Sequence, residues 1–144
     1  MIVYWDTSAL VKRYVQEAGS ESVLDLWEQA SWFVTSSVAY AEALSAFSRK
    51  CQELPTEYRE RMSLVYDSFR ADWNGLIRVD VTVELNEYID RVLEIQTLRG
   101  FDAIHLASAL VVREKVTSRF VFACFDHKLI QAAKIFGFET FPVE

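Results

Sequence analysis

Residues 2–5, 32–34 and 120–125 are apolar throughout, rich in β-branched and aromatic side chains, and each run stops at an aspartate or a hydroxyl cluster. A strand with no polar row on either side belongs in a sheet covered on both faces, so these runs predict strands of a mostly parallel sheet. Residues 76–81, opened by the Asn74-Gly75 breaker, and residues 139–141, followed by Pro142, predict two more short strands. Between the runs the apolar positions recur every three or four residues: Val23, Leu24 and Trp27; Tyr40, Leu44 and Phe47; Met62, Val65, Tyr66 and Phe69; Leu85, Tyr88, Ile89, Val92 and Leu93. That spacing puts each set on one face of a helix. Punctuation agrees: Gly19 closes the first segment and Ser20 reads as an N-cap, Thr35-Ser36-Ser37 suits a cap, Pro55 opens a helix, Arg99-Gly100 interrupts one, and Gly137 closes the helix of residues 128–136. Strands alternating with helices or helix pairs predict an α/β three-layer domain with right-handed crossovers. With no repeat, linker or low-complexity tract, a single domain over residues 1–144 is expected.

Composition narrows the partners. With 51% hydrophobic and 25% charged residues the chain can fill a core, so intrinsic disorder is excluded. A net charge of −6 excludes a surface that binds nucleic-acid phosphates as a whole, and any nucleic acid must be held locally. Cys51 and Cys124 form no C-x-x-C pair and no disulfide framework, which suits reduced thiols. No basic leader precedes Met1-Ile2-Val3, and no apolar run approaches the ~20 residues of a spanning helix, so a soluble cytoplasmic protein with no membrane partner is expected.

The candidate chemistry is carboxylate chemistry. Asp6 follows the first strand, Asp126 the fourth, Asp102 opens a helix, and Glu42 lies about one and a half turns into the helix after the second strand. Ligands of open parallel sheets bind at the carboxyl ends of strands, so all four fall near one edge. If the strands bearing Asp6 and Asp126 are neighbours, like charges ~4 Å apart repel by about 4 kcal/mol at an effective dielectric near 20. A hard divalent cation, Mg²⁺ or Mn²⁺, offsets several such charges with oxygen donors alone, and supports phosphodiester hydrolysis. Each acid has a plainer reading: Asp6 and Asp102 as helix-start acids, Asp126 as a turn residue, Glu42 as part of a solvated face. Glu42 discriminates best, because it lies too deep in its helix to cap it and is surrounded by Ala39, Ala41, Ala43 and Ala46.

In order and in strand context, four segments resemble the PIN domain, and within it the VapC toxins of toxin–antitoxin pairs: Asp6-Thr7-Ser8-Ala9-Leu10, Ser36-Ser37-Val38-Ala39-Tyr40-Ala41-Glu42, Gly100-Phe101-Asp102-Ala103-Ile104-His105-Leu106-Ala107-Ser108-Ala109 and Phe125-Asp126-His127-Lys128-Leu129. The resemblance runs almost end to end. It implies a parallel sheet of about five strands and a metal-dependent endoribonuclease site. By that resemblance Asp6 and Asp102 are direct metal ligands, Asp126 is a third ligand or one acting through water, Glu42 positions water or a second ion, and Ser8 orients Asp6 or a bound water. It also implies an RNA substrate, a homodimer, and a cognate antitoxin whose extended segment covers the cleft.

Other residues stay open. His105, one turn beyond Asp102, could face the cleft or pack inside its helix. Lys12, Arg13, Arg49, Arg99 and Lys128 could hold phosphates or be scattered solvated cations. Trp73 could stack a base, whereas Trp5 and Trp32 read as core, and Cys124 as a buried small hydrophobe. The competing functions are a non-toxin RNA-processing nuclease, a DNA nuclease on the same scaffold, and a catalytically silent binding module. Aspartyl phosphatase chemistry at Asp6 needs a further acid two residues on, where Ser8 stands.

Overall fold

The computed structural model describes residues 1–143. Its strands are β1 (Ile2–Trp5), β2 (Trp32–Ser36), β3 (Ile77–Val79), β4 (Phe120–Ala123) and β5 (Glu139–Phe141). Its α-helices are α1 (Thr7–Leu10), α2 (Ser20–Gln29), α3 (Ala39–Glu53), α4 (Met62–Trp73), α5 (Asn86–Ile95), α6 (Gly100–Arg113) and α7 (His127–Ile135). Short 3₁₀ turns continue α1 and lead into α4 and α5.

The strands form one sheet in the order β3-β2-β1-β4-β5, and every pairing is parallel. The chain first builds outward from β1 through β2 to β3, then crosses to the other side of β1 for β4 and β5. That reversal leaves a crevice outside the carboxyl ends of β1 and β4, where a ligand site is expected in such sheets.

Side chains alternate across the sheet. Ile2, Tyr4, Phe120 and Phe122 pack with α5, α6 and α7 on one face, while Val3, Trp5, Val121 and Ala123 pack with α1 to α4 on the other. Two covered faces explain why β1 and β4 are buried at every position. Only part of this coverage extends to the sheet's edge. β3 is three residues long and largely exposed, shorter than the expected 76–81, because it is an outer strand that Arg78 and Asp80 keep from being apolar throughout.

Three further expectations are corrected. Trp32 is 59% exposed, because it opens β2 ahead of the β3 pairing, which begins only at Val34, so it is not core. Leu24 faces outward, and α2 buries Val23 and Leu26 instead. Thr35 and Ser36 extend β2 rather than capping α3, which begins after Val38 without a side-chain cap.

Gly19, rather than Ser20, holds the N-cap position of α2, at φ 92°. A β-carbon there would lie 2.7 Å from Phe125 Cε1 and 3.3 Å from Lys12 Cδ. Gly19→Ala is therefore expected to lose at least ~1–2 kcal/mol from the left-handed backbone alone, with the clash added. Urea unfolding measures this, and a loss under about 0.5 kcal/mol would show that the turn relaxes freely.

Candidate active site

Asp6 is the residue immediately after β1, and its N–H extends the ladder to the Ala123 carbonyl at 2.9 Å. The two aspartate-bearing strands are thus hydrogen-bonded neighbours, which meets the condition for mutual repulsion. Asp6 is only 4% exposed. Its Oδ2 accepts from the Ser8 N–H at 3.2 Å, the Ser8 hydroxyl at 2.5 Å and the Cys124 thiol at 3.4 Å. The Phe125 N–H in turn donates to Ser8 Oγ at 2.9 Å. Asp6 does cap α1, but one oxygen does the capping, and the residue still lines the cleft.

Asp126 repeats this arrangement. Its Oδ1 accepts the Leu129 N–H at 3.0 Å and caps α7, while Oδ2 lies 3.3 Å from the Arg99 guanidinium. Asp102 enters from the first turn of α6, with Arg99 Nε 3.1 Å from its Oδ2. Glu42 is in the first turn of α3, not deeper, because the helix starts only at Ala39. A dipole-favoured start acid is therefore a possible reading for it too, so its discriminating weight passes to its contacts. His105 Nε2 lies 2.6 Å from Glu42 Oε1, and the Thr7 hydroxyl donates to the same oxygen at 2.7 Å.

The four acids line one cavity of about 290 Å³ with Thr7, Ser8, Arg49 and Arg99. A larger cavity of about 480 Å³, beside Arg13 and Tyr14, contains an Arg13–Asp72 ion pair and no convergence of acids, so size does not mark the chemistry. Burial first, and then the charges of Asp6 and Asp126, push the Asp102 carboxyl above its ordinary range, although Arg99 opposes them. Burial would raise Glu42 as well, but the His105 and Thr7 hydrogen bonds outweigh it and hold that carboxyl below its ordinary range. Burial would lower His105, and the charges of Asp6 and Glu42 outweigh it and raise the imidazole. The Glu42 and His105 shifts run in opposite directions, each toward the charged form, as an ion-paired couple requires.

Among the described residues, no three His, Cys, Asp or Glu side chains are gathered closely enough to hold an ion as they stand. Arg99, largely exposed, instead spans Asp102 and Asp126. The donor set nonetheless fits a hard cation: all four acids offer oxygen donors, and Asp102 and Asp126 already draw the Arg99 guanidinium.

Of the other candidates, Arg49 and Arg99 reach the cleft. Lys12 is committed to Glu17 and the Ala18 carbonyl, and Arg13 to Asp72 and the Trp27 face. Lys128 is exposed on α7. Trp73 is packed between Tyr40 and Phe69 with Arg78 over it, so it is not an open stacking surface. Cys124 is buried as expected, yet it is no inert hydrophobe, because its sulfur also accepts the Asp126 N–H at 3.3 Å. The sequence does not single out Thr7 or Tyr4, which the structure brings to Glu42 and to His105. Asp6-Thr7-Ser8, three polar residues at a strand end, was the available signal for Thr7, whereas Tyr4 inside an apolar strand offered none.

The family model for the PIN domain matches residues 3–135. Ribonuclease VapC49 of Mycobacterium tuberculosis (strain ATCC 25618 / H37Rv) is 29% identical over 143 residues, covering 99% of this chain and 96% of that protein. Ribonuclease VapC47 of Mycobacterium tuberculosis (strain CDC 1551 / Oshkosh) is 31% identical over 147 residues, covering 96% and 95%. Among solved structures, a chain of VapBC2 from Rickettsia felis, bound to a DNA fragment from their promoter, superposes with a TM-score of 0.62 over 97% of each chain at 15% identity, which shows a shared fold.

Proposed function

The chain belongs to the PIN domain family, and from that membership we propose that it is a metal-dependent endoribonuclease, the toxin of a toxin–antitoxin pair. The observation that carries the reading is the convergence of Asp6, Glu42, Asp102 and Asp126 on one cavity at the crevice where the strand order reverses.

In this reading Asp6, Asp102 and Asp126 hold Mg²⁺ or Mn²⁺. When bound, such an ion polarises the phosphoryl oxygens, lowers the pKa of a water and steadies the leaving oxygen. Ser8 and Cys124 fix the Asp6 carboxylate by saturating Oδ2. Glu42, held low by His105 and Thr7, stays ionised and accepts a proton from a cleft water as it approaches phosphorus. Arg49 and Arg99, at the cleft, supply the local positive charge that an acidic protein needs to hold an RNA phosphate.

The antitoxin partner is supported by the VapBC2 neighbour and by the groove beside the cleft, a cavity of about 200 Å³ that shares Val11, Ala46 and Arg49 with it and would continue the path of an extended segment. A homodimer and a cytoplasmic location follow from the same family reading. Among the described residues no helix is long and apolar enough to cross a membrane.

Protein freed of any partner is expected to cleave single-stranded RNA with Mg²⁺ or Mn²⁺ and to stop with chelator, while calorimetry shows Mn²⁺ binding. Mn²⁺ that fails to bind, with cleavage indifferent to chelator, would overturn the reading in favour of a silent module or contaminating activity. Matched DNA strands decide between the ribonuclease and a DNA-directed enzyme.

A further inference from the structure

We infer that His105 is a positioning residue that aims Glu42 through a hydrogen-bond chain running from buried Tyr4 through buried His105 to half-buried Glu42, an inference that rests on the nuclease reading above. His105 is 1% exposed on α6, and Tyr4, in the middle of β1, is fully buried. The Tyr4 hydroxyl lies 2.8 Å from His105 Nδ1, and His105 Nε2 lies 2.6 Å from Glu42 Oε1. Thr7 donates to that same oxygen at 2.7 Å, and His105 Nε2 also approaches Asp6 Oδ1 at 3.7 Å.

Donor and acceptor chemistry orders this chain. An ionised carboxylate only accepts, so the imidazole must present Nε2–H to Glu42 whether the ring is neutral or charged. In the neutral ring Nδ1 accepts, and the Tyr4 hydroxyl donates to it. Tyr4 cannot swing away, because its ring stacks on Phe122 at 5.3 Å with an interplanar angle of 2°. Glu42 Oε1 is therefore held by two donors, which fixes the carboxylate plane and leaves Oε2 for a cleft water or a cation. A histidine that merely filled space would gain nothing from this. Burying a phenol and an imidazole beside a half-buried carboxylate is unfavourable unless each satisfies the next.

The test is a mutant cycle. His105→Leu removes the donor, His105→Gln keeps a donor nitrogen, and Tyr4→Phe removes the hydroxyl alone. His105→Leu is expected to lower kcat by about 10–100-fold with KM for RNA within about twofold, and His105→Gln to recover most of the loss. In a Glu42→Gln background His105→Leu is expected to add no further loss, because the residue acts through Glu42.

A second readout needs no catalysis. The chain has two histidines, so ¹⁵N spectra of the protein without added metal resolve His105 directly. A downfield, slowly exchanging Nε2 proton is expected, shifting in both Glu42→Gln and Tyr4→Phe. Two results would overturn the inference alone: wild-type protein that cuts RNA while His105→Leu leaves kcat unchanged, or losses that multiply in the Glu42→Gln background. Wild-type protein that shows the Nε2 proton but cuts no RNA overturns the nuclease reading, and with it the catalytic role of the chain.

Discussion

Asp6→Asn is expected to leave the protein folded and to reduce RNA cleavage by about 10²–10³-fold, the scale at which losing one electrostatic partner of a transition state is felt. Asparagine matches aspartate in shape and is as good an N-cap, so α1 keeps its start. The amide, however, cannot be turned at will. Ser8 N–H, the Ser8 hydroxyl and the Cys124 thiol all donate to Oδ2, so the amide oxygen must take that place and the NH₂ must turn toward the cavity. The pocket then loses a negative charge and gains donors where a cation or an approaching water needs an acceptor.

Folding should not suffer with activity. Asp6 is one of the charges that raise Asp102, so neutralising it relieves repulsion and is expected to keep the unfolding midpoint at or above that of the parent. Asp102→Asn is expected to behave alike in cleavage. Single-turnover cleavage and thermal unfolding on the same preparations check both variants. Full activity in either one would remove its carboxylate from the site.

The largest effect on stability is expected at Phe69, which no part of the chemistry touches. Its ring is fully buried and meets Tyr14 at 5.4 Å, Phe47 at 5.5 Å, Trp73 at 5.6 Å and Tyr40 at 5.7 Å. These aromatics come from α3, α4 and the turn after α1, so Phe69 joins α4 to the layer that carries Glu42. Phe69→Ala is expected to cost about 3–5 kcal/mol in urea unfolding, because the rigid rings around it cannot collapse into the space. Below its midpoint the variant should still cleave RNA, since none of these rings lines the acid cleft. A loss under about 1 kcal/mol would show that this cluster is not what fastens α4.

Much of this architecture is written locally. Ile2–Trp5 and Phe120–Ala123 are apolar at every position, and a strand of that kind must be covered on both sides, so the parallel sheet and its layers could be anticipated from the order of residues alone. Asp6 and Asp126 stand at strand ends in any such sheet, so their place on the functional edge was also legible. Harder positions were those where a residue's environment comes from elsewhere in the chain. Trp32 is hydrophobic and lies in a strand, but it is exposed, although its strand partner Ile2 is buried, because β3 flanks β2 only from Val34 onward. Sequence spacing puts Glu42 too deep for a helix-start role, whereas the first residue of α3 depends on how β2 ends against β3, where the Ser37 N–H donates to the Val79 carbonyl.

The plain readings of Asp6 as a helix-start acid and Asp126 as a turn residue do not exclude a place in the cleft, because both cap a helix and both line the cavity. A carboxylate has two oxygens, and each of these residues spends one on a helix start and leaves the other to a different partner, Asp6 Oδ1 3.7 Å from His105 Nε2 and Asp126 Oδ2 3.3 Å from Arg99. What the linear order determined by itself was the class of fold, the identity of four acids and their assignment to one edge, because periodicity and strand termination are properties of neighbours. Tertiary structure alone decided that β1 lies directly beside β4, that Arg99 spans two acids, and that Tyr4 reaches Glu42 through His105. Those relations join residues separated by as many as 118 positions, as Ile2 and Phe120 are, and a hydrogen bond of 2.8 Å depends on where two backbones meet, which no local pattern encodes.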